Sequence, residues 1–258
     1  MSKSFRAYWM LLTLMVLSAV LTYLSRTYLT YEGKIEDVVS WTAYMAVMGI
    51  LYAVVVGFVL VEALGRFASL DQTIDAEISA LQDIHDMLLY FDKNQQTAVQ
   101  GTREALIAYA SSVAEREWDS MSGKAESSNE FSSPEINMLI QATNEIRVED
   151  ANDSVALNAI IEKLTLVTTL RTRRIYHANE RIPPTIYSLI EFMSLTLIAG
   201  LVLMGVHNLW IHNLMVLSMT MAMFLAHKIL RDIDDPFSGS WSFNNSRYLR
   251  LIEEGLRA

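Results

Sequence analysis

The sequence predicts an all-α membrane protein: four transmembrane helices, with a cytoplasmic helical bundle inserted between the second and third spans. Three observations predict this. Charge is absent from three long stretches and dense elsewhere. Apolar residues repeat at steps of three and four in the charged middle. No stretch shows the alternating apolar spacing a strand requires.

The first charge-free run lies between Arg6 and Arg26, the second between Asp37 and Glu62, and the third between Glu191 and Lys228. A helix needs about 20 apolar residues to cross a bilayer core. The first two runs each fit one crossing. The third is too long for one and reads as a hairpin, turning at Gly205-Val206-His207-Asn208, with its first arm starting near Pro184. Buried helices of a soluble protein rarely reach such lengths without charge. The first run also exceeds the apolar core of a cleavable signal and lacks a small-residue cleavage site, so it reads as a retained span. The expected divisions are 1–61, 62–183, 184–230 and 231–258.

Basic residues give the orientation. Lys3, Arg6, Arg66, the Arg171–Arg174 cluster, Arg181, Lys228 and Arg231 lie on one side, against Arg26 and Lys34 on the other. The positive-inside rule then places both termini and the middle domain in the cytoplasm. There is no Cys, hence no disulfide and no thiolate metal site. A net charge of −9 argues against nucleic acid as a partner and leaves the lipid bilayer as the expected one.

The second span should run on into the middle domain as one helix. Phe67, Leu70, Ile74, Glu77, Leu81, Ile84, Leu88 and Phe91 form a coiled-coil type seam. Glu77 interrupts it with an acid, which needs either an Arg partner or water. A second helix is expected over Gln95–Trp118, a loop over 119–133, and a helix capped by Ser133 with Pro134 in its first position. Another loop is expected at Glu149–Asp153. The next helix carries Val155, Ile160, Leu164 and Val167, ends in the Arg171–Arg174 cluster, and is broken by Pro183-Pro184.

No catalytic motif stands out, and the five His residues are scattered. Glu62 and Glu191 flank spans, and ionisable groups at membrane depth are functional candidates; near the interface, a carboxylate also reaches water cheaply. Arg171 and Arg174 could pair with headgroups or with Glu77, or line an anion path. Asp232, Asp234 and Asp235 could offer oxygens to a calcium ion, or could be solvated acids at a helix end stopped by Pro236. Beyond that ion no cofactor is expected.

Asp234-Asp235-Pro236-Phe237-Ser238-Gly239 directly after the last span, with Glu77, Trp118, Arg171, Arg174 and Pro183-Pro184, resembles the bacterial bestrophin-like membrane family. The resemblance covers nearly the whole chain. A narrower likeness links Gly57-Phe58 and Arg66-Phe67 to the second span of bestrophins, which are pentameric anion channels with a hydrophobic neck on that span. It implies a homo-oligomer that conducts inorganic anions, with neck positions Ile50, Val54 and Phe58. Val54 stands where those channels usually have an aromatic. Bestrophins also carry a calcium clasp of acids after Pro-Phe-Gly; here the acids come first and Ser238 separates Phe237 from Gly239, which departs from that pattern. On this reading the cytoplasmic domain forms a vestibule and supports assembly through the 67–91 seam. A membrane-anchored scaffold or sensor is the alternative. A proton-coupled carrier using Glu62 or Glu191 ranks behind both, since no repeated halves or broken helices are visible. No enzymatic activity is expected.

Overall fold

The computed structural model describes residues 3–28, 38–121, 133–204, 206–237 and 241–256. Every regular element among them is helical. The chain divides into two compact units, Met1–Leu64 with Arg181–Asp234, and Gly65–Glu180 with Asp235–Ala258. The segment after Asp234 is therefore not a separate tail, because it packs into the second unit.

The first unit holds α1 (Lys3–Tyr28), the start of α2 (Val38–Met87), α7 (Pro184–Leu203) and α8 (Leu209–Asp234). Three stretches, within 39–90, 151–203 and 209–234, are long and apolar enough to cross a membrane; α1 contributes a shorter apolar helical stretch, Leu12–Ser25. Helices α1, α7 and α8 pack on one another. Small polar side chains line the buried stripe of α1, where Ser18, Thr22 and Ser25 recur every three or four residues. Such residues let backbones approach closely, the main source of helix association in lipid. Their hydroxyls are satisfied on backbone: Thr22 donates to the Ser18 carbonyl (2.8 Å) and Ser25 to that of Val202 (3.4 Å). On α8 the buried stripe is His212, Val216, Thr220 and Met223.

Of the expected hairpin turn, Gly205 lies outside the described residues, while 206–208 lie between α7 and α8. Asn208 caps α8, its Oδ1 accepting from the Trp210 amide at 2.9 Å. His212 Nε2 donates to the Leu201 carbonyl at the end of α7 (2.8 Å), satisfying one group a helix end leaves open. The start of α2 meets α7 at Gly200. Trp41 Nε1 donates to the Gly200 carbonyl, and a Cβ at Gly200 would collide with Met45.

The second unit is built from the remainder of α2, α3 (Gln96–Ser112), α4 (Trp118–Met121), α5 (Pro134–Asn144), α6 (Ala151–Asn179) and α9 (Ser246–Arg250). Its core draws Leu70, Ile74, Leu81 and Ile84 from α2, Leu88 from the 3-10 turn that follows it, Leu106 and Val113 from the α3 side, Leu139 from α5 and Ile160 from α6. The seam expected to support assembly is thus consumed inside the chain's own bundle. This is a correction with a plain cause. A three-four stripe requires a partner helix, and the stripes of α3, α5 and α6 supply one in cis.

The expected helix over Gln95–Trp118 is instead interrupted. After α3 a wider π turn spans Val113–Glu117 before α4 continues to Met121, so 119–121, expected in a loop, are helical. Most of that loop, 122–132, lies outside the described residues. Pro134 opens α5 as expected, but Ser133 makes no side-chain cap; its hydroxyl donates to Glu135, which also pairs with Arg116. The loop expected at 149–153 instead runs from Glu145 to Asp150. Asp150 caps α6 by accepting the Asp153 amide at 2.8 Å, so 151–153 are already helical. Asp153 is itself buried and accepts from Gln95 and the Glu149 amide. Gln95 also accepts from the Arg147 amide, so one buried amide pins the α5–α6 connection.

Candidate functional site

Glu77 is fully buried, as is the Arg that meets it. Arg174, about one and a half turns before the end of α6, donates from Nε to Glu77 Oε2 at 2.8 Å and from Nη2 to Oε1 at 3.3 Å. The same Nη2 reaches Glu117 Oε2 at 2.7 Å. Arg171, one turn earlier, donates from Nε to Glu117 Oε1 at 2.8 Å. Tyr109 completes Glu77 by donating its hydroxyl to Oε1 at 2.7 Å. The Arg174 guanidinium lies 5.9 Å from the centre of the Tyr248 ring. Two acids and two bases therefore alternate in one buried chain.

The charge states follow from the geometry. Burial raises the Glu117 pKa, but Arg174 and Arg171 outweigh it and hold the carboxyl below its ordinary value. Burial works against the Arg174 charge, yet Glu77 and Glu117 overcome it and keep the guanidinium protonated. Tyr109 and Tyr248 are pushed well up by burial and by the Glu77 charge, so both stay phenols. Taking such ions out of water costs several kcal/mol each, and the loss is offset only when every lone pair finds a donor. Three donors reach Glu77, two from Arg174 and one from Tyr109.

Of the residues expected to bear on ion passage, Glu77, Arg171 and Arg174 meet here, together with Glu117, which the sequence reading did not single out. A signal for Glu117 existed: two Arg one turn apart facing one acid leave a cation to be balanced. Glu62 is exposed on α2. Glu191, half-exposed on α7, lies 3.2 Å from Arg231 Nη2 and 3.4 Å from His227 Nε2. Asp234 accepts the Ile182 amide at 2.8 Å and the Tyr187 hydroxyl at 3.1 Å. Both its oxygens are engaged in closing the turn after Pro183-Pro184's neighbour Ile182. Asp232 and Asp235 are half-buried. Among the described residues, no three acidic or His side chains are grouped to hold a metal.

Ile50, Val54 and Phe58 stand on one face of α2 at spacing four. They are 65%, 48% and 74% exposed in the single chain. None of residues 39–62 is buried. Gly49 and Gly57 have open space where a Cβ would sit. Further on, Arg66 lies 3.7 Å from Glu180 and Phe67 stacks on Phe243 at 4.4 Å.

A bacterial bestrophin homologue from Klebsiella pneumoniae, solved by zinc phasing, superposes with a TM-score of 0.74 at 14% identity, covering 95% of this chain and 96% of that one. A single-substitution variant of a bestrophin homologue from the same organism gives 0.76 at 15% identity, covering 98% and 100%. Such identities show a shared fold. No curated protein sequence matches the chain significantly. The sequence profile described as the bestrophin-like domain matches residues 8–247. That match takes in both units described above, and the chain belongs to the bestrophin-like family.

Proposed function

We propose that the chain is one subunit of a homo-oligomeric ion channel of the bacterial inner membrane, pentameric and anion-conducting, with its neck on α2 and both termini cytoplasmic. The observation that carries this reading is the apolar stretch of α2, which touches α7 at Trp41 and Met45 and still buries no residue fully. Helices α1, α7 and α8 bury stripes against one another, whereas no residue of 39–62 is buried in the single chain. Lipid and neighbouring copies are the two covers for such a surface. The small residues Gly49, Ala53 and Gly57 recur every four positions, the pattern that lets a second helix approach closely. Ile50, Val54 and Phe58 follow them by one residue, about 100° around the helix. One face thus suits a neighbour while the next suits an axis. A ring of apolar side chains can gate ions by dewetting. The narrower likeness of Gly57-Phe58 and Arg66-Phe67 to bestrophins supports the same placement.

The test is recording from purified chain in planar bilayers. Wild type should give unitary currents whose reversal potential follows the chloride gradient, and Phe58→Ala should raise unitary conductance at least about twofold by widening the dewetted ring. A silent wild type, or a monomer in detergent, would sink the channel. An unaltered Phe58→Ala conductance would sink the neck alone, and reversal at the cation potential would sink anion selectivity alone. Silence together with stoichiometric capture of a cytoplasmic protein would favour a scaffold.

A further inference from the structure

Residues 241–256 form a strap in the second unit, and its two halves are held by different forces. The rear half is anchored in the core, where Tyr248, Leu251, Ile252 and Leu256 are buried. The front half rests on α2. Arg247 Nη1 lies 2.7 Å from Asp71 Oδ1 and 2.8 Å from Asp75 Oδ1. Phe243 stacks on Phe67, and Arg247 lies 6.0 Å from the Phe243 ring centre. Under this half is a partly open cavity of about 160 Å³, lined by Ile74, Trp118, Ser242, Phe243, Asn244 and Arg247.

We propose that this front half is a salt-sensitive latch on α2, with Arg247 as its catch. Asp71 and Asp75 are one helical turn apart, where like charges repel, and a single guanidinium nitrogen bridges both. All three groups are about 40–60% exposed, so dissolved ions screen them. The cavity leaves open space beside Arg247, so beyond the ion pairs the segment is held by the Phe243 stack on Phe67 and by the Asn245 side-chain amide donating to the Ala114 carbonyl at 2.9 Å. The buried Tyr248, adjacent to Arg247, is the pivot. Helix α2 continues without interruption from Val38 to Met87, so the latch grips the helix that carries Ile50, Val54 and Phe58. Control of current by ionic strength through this latch rests on the channel reading above; the latch itself does not.

Hydrogen exchange on the full chain in lipid nanodiscs tests it, at about 0.1 M and about 1 M NaCl, where the Debye length is about 10 Å and about 3 Å. Amides of 241–247 should exchange about fivefold faster at the higher salt, the order expected of two exposed ion pairs, while those of 248–256 hold constant. Arg247→Gln should exchange at the fast rate at both salts, and Arg247→Lys should keep the salt dependence. The 248–256 protection reports folding in each variant. Should Arg247→Gln lose it, Asp71→Asn with Asp75→Asn removes the same pairs without altering the strap. Salt-independent exchange of 241–247 in the wild type, or wild-type rates in the variants that remove the pairs, would overturn the latch. Salt-dependent exchange in a chain that passes no current would retain the latch and remove the channel.

Discussion

Residues 39–62 of α2 are apolar on nearly every side and none is buried, whereas residues 70–87 of the same helix bury one stripe and leave acids on the rest. The difference is one of solvent. The lower half meets water, so only its packed face is apolar, and the three-four period marks that face. The upper half suits lipid, which is as apolar as a helix interface, and the period there carries no information about which side packs. One helix thus combines a half whose contacts are written in its hydropathy and a half whose contacts are not.

The largest test of this contrast removes a charge from the lower half. Arg174→Ala leaves Glu77 and Glu117 buried without their shared cation, and should cost about 3–5 kcal/mol. Loss of folded protein in detergent, seen as a collapsed melting transition, is the expected result. A variant melting like wild type would mean that water reaches the site. Next, Leu81→Ala should cost about 2–5 kcal/mol through the cavity it leaves, while Val54→Ala should stay within about 0.5 kcal/mol in a dispersed single chain. Equal losses would erase the distinction between the halves. The smallest effect is in acid. The Glu117 pKa is lowered on folding, so its contribution is complete above the unfolded-state value of 4.5 and fades as pH falls through the lower folded value. Far-UV dichroism should show wild-type stability falling below pH 4.5, with a shallower acid limb in Glu117→Gln. An identical limb would place the titrating acid elsewhere.

Much of the fold was legible. Charge-free runs located the apolar helices, Pro134 and Pro184 marked two helix starts, and the 67–91 stripe showed which face of α2 would be buried. Glu77 on that stripe demanded a cation, and Arg174 supplies it. Glu117 escaped because an acid near a helix end ordinarily reads as solvated, whereas here it is buried within the π turn at 113–117. The strap escaped for another reason. Its hold on α2 comes from Arg247 and Phe243 across 176 residues of sequence, and neither belongs to an apolar repeat. The assembly role expected of the seam failed because periodicity shows that a face is covered but not by which chain.

The buried quartet has an electrical consequence. Glu77, Glu117, Arg171 and Arg174 cancel, so a few ångströms away their fields nearly vanish. The chain's net charge of −9 is therefore carried entirely by other residues, and each further copy in an assembly adds as much again. Such a body gathers cations as counter-ions and thins out anions near its surface, most strongly in dilute salt. The two Arg that might have drawn anions inward are already neutralised. In the channel proposed above, selection among anions would then fall to the uncharged ring of Ile50, Val54 and Phe58, where what counts is how readily an ion sheds its water.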